Sequence, residues 1–209
     1  MTTQPGYDVL ASAYDEAFPA GFTSVVERHA AAIFAEDLLA AGLSGLVLDI
    51  GCGAGHVTHN LSLRGLEVMG LDPSPAMLGL AQQRYPELRW VLGDASLTQL
   101  LDDRRALAGI IARYSLIHVD PERVPGILAT WAERLQPEGH VLVAFQCSED
   151  PALPVREFDH KVAPAWRWHP QAMAEVMNRA GFSERWRLVT AADDQHRFAE
   201  CHLVHELRP

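Results

Sequence analysis

Cysteine is scarce in this sequence, and its distribution argues against a protein held together by disulfide bonds. The 209 residues contain three cysteines, Cys52, Cys147 and Cys201, which lie far apart in the chain. Disulfide-rich secreted domains carry an even number of closely spaced cysteines, so we expect reduced thiols here. The cysteines therefore give little indication of function.

Long apolar runs are also missing. No stretch approaches the roughly 20 uninterrupted apolar residues that a membrane-spanning helix requires. The first residues, MTTQPGYD, have neither the basic start nor the apolar centre of a signal peptide. We therefore expect a cytoplasmic protein with no membrane partner.

Basic residues are few and dispersed along the chain. The sequence has 17 Lys and Arg against 27 Asp and Glu, which gives a formal net charge of -10 at pH 7. Such a charge repels the phosphate backbone of nucleic acids. We expect a small-molecule partner instead, bound by a chain that is a monomer or a homodimer.

The chain shows no internal repeat and no shift in composition, and its hydrophobic content is 48%. These features predict a single domain over residues 1–209, large enough to bury a substantial core. Within it we expect an N-terminal helical cap over residues 1–42. We expect a substrate lid over residues 146–169, where prolines interrupt every periodic pattern.

Helical patterns alternate with short apolar runs of strand length. The expected helices lie near residues 26–41, 56–64, 124–136 and 173–180, and a further helix is expected to begin at Pro75 after a cap at Ser74. The expected strands lie near residues 45–49, 66–72, 89–94, 107–117, 139–146, 184–191 and 199–207. This order predicts an α/β fold with a doubly wound, Rossmann-like sheet, mostly parallel and seven-stranded, with an antiparallel C-terminal strand.

The first strand leads into a glycine-rich turn, VLDIGCGAGHVT at residues 47–58. Its glycines let the backbone lie against a ligand, and the next helix offers free amide groups. The dinucleotide fingerprint G-x-G-x-x-G would need a glycine where His56 stands, so we do not expect NAD. Asp49 would repel a pyrophosphate and attract an ammonium group. The turn therefore favours a ligand that carries both an amine and a carboxylate.

Two further acids close the next two strands. Asp72 follows the second strand, where a carboxylate can accept hydrogen bonds from both hydroxyl groups of a ribose. Asp94 follows the third strand, where it could accept a hydrogen bond from the amino group of an adenine. An amino acid, a ribose and an adenine together describe S-adenosylmethionine. The alternative is that both acids are simply solvated strand ends.

Five motifs along most of the chain resemble those of the class I S-adenosylmethionine-dependent methyltransferases, especially the small single-domain bacterial enzymes. They are VLDIGCGAG, LDPSPAMLGLA, GDAS, ARYSLIHVD and LQPEGHVLVAF. The resemblance implies the cofactor S-adenosyl-L-methionine and a set of residues that bind it, which are Tyr14, Asp49, Gly51, Cys52, Gly53, Asp72, Pro73, Met77, Asp94, Ala95 and Arg113. Within this set, Met77 would pack near the adenine, Arg113 would offer its carbonyl, and Tyr14, with Tyr7 in reserve, would close over the cofactor. Cys52 has packing between the glycines as its alternative role.

The activity implied is transfer of a methyl group to an O, N or C atom by in-line displacement, which requires alignment and exclusion of water more than a catalytic side chain. The candidate catalytic residues are His118, Tyr114, His160 and His169. Each has a structural alternative, such as packing under the cofactor for His118. No metal site is expected from Cys201, His202 and His205, because successive strand residues face opposite ways.

The acceptor is narrowed by what the fourth motif lacks. It has no Asn-Pro-Pro-Tyr, the signature of family members that methylate adenine or glutamine, so a small-molecule acceptor is favoured. Phe158, Trp166 and Trp168 in the lid would offer it an aromatic surface. Two other functions stay open, a non-catalytic module that binds S-adenosylmethionine and an aminopropyl transferase of the same fold.

Overall fold

The computed structural model describes residues 5–100, 106–194 and 196–209, which form six α-helices and nine β-strands. The helices are α1 (Pro5–Ala17), α2 (Val25–Ala40), α3 (His56–Ser62), α4 (Pro75–Arg84), α5 (Val124–Arg134) and α6 (Pro170–Arg179). The strands are β1 (Leu46–Ile50), β2 (Glu67–Asp72), β3 (Arg89–Leu92), β4 (Leu107–Arg113), β5 (Leu135–Gln146), β6 (Val155–Phe158), β7 (Ala165–Trp168), β8 (Phe182–Thr190) and β9 (Glu200–Leu207). Among the described helices, none is long and apolar enough to cross a membrane.

Seven strands form one sheet in the order β3-β2-β1-β4-β5-β9-β8. Strands β1 to β5 pair in parallel, and β9 runs antiparallel to both β5 and β8. The predicted fold class is confirmed. The strand order reverses between β1 and β4, so a crevice opens at the carboxyl ends of these strands.

Both faces of the sheet are covered by apolar side chains. All five residues of β1 are buried, because alternate side chains enter two different cores. Leu48 belongs to a core that contains Trp131 and Phe145, whereas Val47 belongs to a core that contains Phe34. The central strands are therefore held from both sides, which fixes the positions of their carboxyl ends.

Serine caps begin two of the helices that border the crevice. The Ser24 side chain accepts a hydrogen bond from Glu27 N at the start of α2, and Ser74 does the same for Met77 N at the start of α4. Each cap satisfies a backbone amide that has no partner within its helix. The predicted cap at Ser74, followed by Pro75 at the first helical position, is confirmed.

The structure corrects two expectations about local structure. The apolar run at residues 107–117 does not continue as a strand, since β4 ends at Arg113 and residues 116–118 form a short 3-10 helix. The segment expected to be irregular contains the antiparallel pair β6 and β7. Trp168, on β7, is 3% exposed and packs in the core. The prediction that Trp168 offers surface to the acceptor is therefore wrong.

Candidate active site

A cavity of about 1370 Å³ opens at the carboxyl edge of the sheet. Fourteen of the fifteen site residues predicted from the sequence line it, which are Tyr14, Asp49, Gly51, Cys52, Gly53, Asp72, Pro73, Met77, Asp94, Ala95, Arg113, Tyr114, His118 and His160. His169 does not line it. Its ring instead caps α6 by accepting a hydrogen bond from Gln171 N at 3.2 Å, and we leave His169 out of the site.

The glycine turn after β1 brings bare backbone to the cavity. Gly51 has φ +74, and a Cβ placed on it would lie 2.3 Å from Cβ of Ser115, so a side chain there would collide with the end of β4. Gly53 has φ +54 and nothing within 4 Å of the position a Cβ would take. The turn is therefore packed at its base and open to a ligand at its tip.

Asp49 is a buried carboxylate with one neutral partner. Its Oδ2 accepts a hydrogen bond of 2.6 Å from the Thr58 hydroxyl, and burial raises its pKa to about 6. The nearby Arg113 is engaged elsewhere, in an ion pair of 2.6 Å with Glu27. An ionised carboxylate buried without its own counter-ion is stabilised by a cation that enters beside it. Asp49 is therefore suited to an ammonium group.

Asp72 is held rigidly by backbone amides. Its Oδ2 accepts a hydrogen bond from Gly53 N and its Oδ1 accepts one from Ser74 N, each at 2.8 Å. Burial raises the pKa of Asp72 to about 6. Each carboxylate oxygen has a second lone pair, so the fixed group can still accept hydroxyl donors from the cavity.

The third strand end is tied to helix α5. The carbonyl of Ala95 accepts a hydrogen bond of 2.8 Å from Trp131 Nε1, and Asp94 Oδ1 accepts one of 2.9 Å from Ser96 N. Met77, at the start of α4, is 1% exposed and lines the same cavity. The cavity wall therefore includes both an acid and an apolar side chain, the two kinds of group that recognition of a purine ring requires.

Helix α1 lies across the cavity, and one histidine connects it to the segment between β6 and β7. His118 Nδ1 is 3.0 Å from the carbonyl oxygen of Pro164, which can only accept, so this nitrogen carries the proton. His118 Nε2 then accepts a hydrogen bond of 3.0 Å from the Tyr7 hydroxyl. Burial lowers the pKa of His118 to about 4, so the ring is neutral with both nitrogens engaged.

Tyr14 lies beside Tyr7 on α1, with their ring centroids 5.6 Å apart. Both tyrosines line the cavity, as the sequence had indicated for Tyr14 with Tyr7 in reserve. His160 packs against His118 with a centroid distance of 4.7 Å, and its Nδ1 accepts a hydrogen bond from Val162 N at 3.3 Å. His118 and His160 therefore both line the cavity with ring nitrogens hydrogen-bonded to neighbouring residues.

The polar residues of the cavity that the sequence analysis missed include Glu27, Gln146 and Glu200. Glu27 sits in the first turn of α2 and resembles an ordinary acidic residue at a helix start. Gln146 and Glu200 face each other where β5 ends and β9 begins. The sequence signal that could have found Gln146 is a polar residue at the end of an apolar strand. Its expected antiparallel neighbour would then have indicated Glu200.

Comparison with known proteins adds to this geometry. Over the whole chain, the fold is similar to a crystal structure of Burkholderia thailandensis 1,6-didemethyltoxoflavin-N1-methyltransferase with bound 1,6-didemethyltoxoflavin and S-adenosylhomocysteine. The TM-score is 0.67 and the identity 21%, covering 100% of this chain and 92% of that chain. Magnesium protoporphyrin IX methyltransferase from Synechocystis PCC 6803 with bound S-adenosylhomocysteine gives a TM-score of 0.72 at 17% identity, over 98% and 97% of the two chains.

Residues 47–139, which contain the glycine turn and the three strand-end acids, match the family model described as a methyltransferase domain. This segment makes up less than half of the chain, and the similarity to a methyltransferase domain is established for these residues. An uncharacterized methyltransferase of Oceanobacillus iheyensis is 32% identical to this chain over 100 residues, which is 46% of this chain and 44% of the relative. The chain spans about half or less of the length of these curated relatives.

Proposed function

We propose that this chain binds S-adenosylmethionine in the cavity and transfers its methyl group to an O, N or C atom of a small molecule. The observation that carries the proposal is the arrangement of three strand-end acids, Asp49, Asp72 and Asp94, around the open turn at Gly53. The buried Asp49 without a counter-ion would fit an ammonium group, the Asp72 carboxylate fixed by two amides would fit a ribose, and Asp94 would fit the amino group of an adenine.

Each part of the cofactor would have its own binding residues. Asp49 and the backbone at Gly53 would hold the amino acid end, and Asp72 would accept the ribose hydroxyl groups. The Asp94 carboxylate would accept a hydrogen bond from the amino group of the adenine, and the adenine ring would lie against Met77. The bound cofactor supplies a methyl group on a positively charged sulfur, which is a good leaving group.

The remaining task of the protein is to align an acceptor and exclude water. The cavity of about 1370 Å³ exceeds the roughly 1,000 Å³ upper range of small-ligand pockets, which leaves room for an acceptor beside the cofactor. Tyr7 and Tyr14 on α1 cover the cofactor end, and Trp166 and Phe158 line the acceptor end. A small-molecule acceptor is supported by this aromatic wall, and by the 1,6-didemethyltoxoflavin bound to the Burkholderia neighbour.

Calorimetry with S-adenosylmethionine and S-adenosylhomocysteine tests the binding. We expect dissociation constants on the order of micromolar for both, which corresponds to about -8 kcal/mol, and no binding of NAD. A folded protein that binds neither sulfur compound would overturn the proposal. Methyl transfer from radiolabelled cofactor to a panel of metabolites tests the activity. Tight binding with no transfer to any acceptor would identify a binding module instead of an enzyme.

A further inference from the structure

The floor of the acceptor end is formed by a pair of polar residues on neighbouring strands. Gln146 is the last residue of β5, and Glu200, the first residue of β9, lies directly opposite it in the antiparallel register. Residues paired in this way project to the same face of a sheet. Both line the cavity, and Glu200 is 7% exposed. An acceptor that enters the cavity therefore meets an amide and a buried carboxylate together.

The amide oxygen of this pair has no partner. Gln146 Oε1 is buried and makes no hydrogen bond with any described residue. Leaving a buried acceptor unsatisfied costs about 1 to 3 kcal/mol, which a donor hydrogen on a ligand would recover. The unpartnered oxygen thus points to a ligand that brings an N–H or O–H group to this position.

The Tyr114 hydroxyl contacts two carboxylates at this end of the cavity, those of Glu27 and Glu200. The backbone of Tyr114 has φ 52, a strained conformation for a tyrosine, and its hydroxyl lies 3.3 Å from Glu27 Oε1 and also against Glu200. Glu27 is already satisfied, since it accepts hydrogen bonds from Arg113 at 2.6 Å and from Thr23 N at 2.9 Å. Burial acts to raise the pKa of Glu27, but these partners outweigh it and lower the pKa.

Glu200 has weaker partners. Burial raises its pKa, the Glu27 carboxylate raises it further, and Tyr114, His196 and Arg113 offset these effects only in part. A carboxylate whose pKa lies above its usual range is a stronger proton acceptor than an ordinary glutamate. Because the pKa of Glu200 is raised, protonation of this carboxylate should shape the acid side of the activity profile.

We propose that Glu200 is a catalytic residue that accepts the proton of an N–H methyl acceptor, which Gln146 holds through a second hydrogen. The inference rests on the proposed function and specifies its substrate class as a primary amine. The acceptor nitrogen uses its lone pair to form the N–C bond, and the C–S bond breaks with its electron pair going to sulfur. The nitrogen-bound proton passes to a carboxylate oxygen of Glu200 and then to water.

Nitrogen is favoured over oxygen because the floor presents two acceptor groups. A primary amine offers one hydrogen to Gln146 Oε1 and another to Glu200, whereas a hydroxyl group offers a single hydrogen. Phe158, Phe198 and Trp166 line the cavity above this floor, so the nitrogen should be attached to a planar apolar body.

The substrate class is tested with three acceptors that share one aromatic body and carry a primary amine, a hydroxyl or a carboxylic acid. Products of the wild-type enzyme are identified by mass spectrometry, and acceptor binding to the S-adenosylhomocysteine complex is measured by calorimetry. We expect binding and methylation of the amine alone. Exclusive methylation of the hydroxyl or the acid would overturn the inference while supporting the proposed function. Failure to bind S-adenosylhomocysteine would overturn the proposed function itself.

The role of Glu200 is tested with Glu200→Gln, which keeps size and removes the proton acceptor. We expect kcat to fall about 100-fold or more, as loss of a general base does, and the acid limb of the pH profile to disappear. Binding of S-adenosylhomocysteine should stay within about threefold, a difference of less than 1 kcal/mol. The matched control is Glu206→Gln, which lies on the same strand and pairs with Arg185 outside the cavity.

Further variants separate catalysis from folding. Glu200→Asp should recover part of the lost kcat, and Gln146→Leu should raise KM about tenfold with a smaller effect on kcat. A Glu200→Gln enzyme with unchanged kcat would overturn the assignment, and so would an unchanged KM in Gln146→Leu if Glu200→Gln does not fold. Ligand atoms of Glu27, His196 and Glu200 lie within 4.8 Å of one another. Activity lost with EDTA and restored by Mn²⁺ would assign Glu200 to a metal site and overturn its role as a base.

Discussion

Replacing Asp72 by Ala should weaken cofactor binding without unfolding the protein. Hydrogen bonds to a charged group contribute about 1.5 to 3 kcal/mol each, and a ribose offers two hydroxyl donors. Part of this is regained by water that hydrates the free hydroxyl groups, so we expect a net loss of about 2 to 4 kcal/mol. That range corresponds to a dissociation constant about 30 to 900 times larger.

The effect on stability is predicted from the pKa. Burial raises the pKa of Asp72 from 3.8 to about 6, so keeping it ionised at pH 7 costs the ligand-free fold about 3 kcal/mol. The Ala variant removes this cost but leaves Gly53 N and Ser74 N without their carboxylate partner. The loss of two backbone hydrogen bonds to a carboxylate costs about as much as the ionisation penalty that the variant removes, so the net change in stability is small. We expect a melting temperature within a few degrees of wild type.

Calorimetric titration with S-adenosylhomocysteine beside thermal melting measures both quantities. The matched control is Asp159→Ala, an acid that also lines the cavity but is exposed and pairs with Arg197 at 2.7 Å. Its affinity for S-adenosylhomocysteine should match that of the wild type. An Asp72→Ala protein that melts normally and binds with unchanged affinity would refute the assignment of the ribose to this strand end.

Three other outcomes are expected. Trp166→Ala should leave cofactor affinity within about threefold and reduce methyl transfer tenfold or more, with little change in melting temperature. Trp168→Ala should instead cost about 3 to 5 kcal/mol of stability, which a thermal melting curve measures. Tyr7→Phe removes the hydrogen bond to His118 and should lower the free energy of unfolding by about 1 kcal/mol, as denaturant titration measures. The two buried aspartates of the cofactor end have pKa values raised to about 6, so affinity for S-adenosylhomocysteine, measured by calorimetry, should increase as pH rises from 5 to 7, and an affinity that falls instead would contradict this.

The cofactor end of the site could be predicted from the sequence because its residues follow strands. An apolar run that ends in an acid or a glycine indicates both a buried strand and the edge at which it stops. Asp72 and Asp94 are separated by 22 positions in the chain, yet parallel pairing of β2 with β3 brings their ends to one edge. Local pattern and tertiary position agree there, so a single sequence is enough.

The acceptor end could not be predicted in the same way. Trp166 and Trp168 differ by two positions, but one lines the cavity and the other packs in the core beneath it. Strands of four residues between prolines give too short a pattern to indicate which face is buried. Glu27 and Glu200 reach the cavity from α2 and β9, and their meeting depends on how these elements pack rather than on any local motif.

The contact between Tyr7, His118 and Pro164 has a consequence for the order of events in turnover. Gly6 on α1 also lies against this second segment, close enough that a Cβ there would be 2.1 Å from the carbonyl oxygen of Val162. The helix that covers the cofactor end and the segment that covers the acceptor end therefore share one seam. Any displacement of α1 wide enough to let a nucleoside leave must break that seam or carry the second cover with it. Under the proposed function, departure of the spent cofactor and departure of the methylated product would thus be coupled to the same motion.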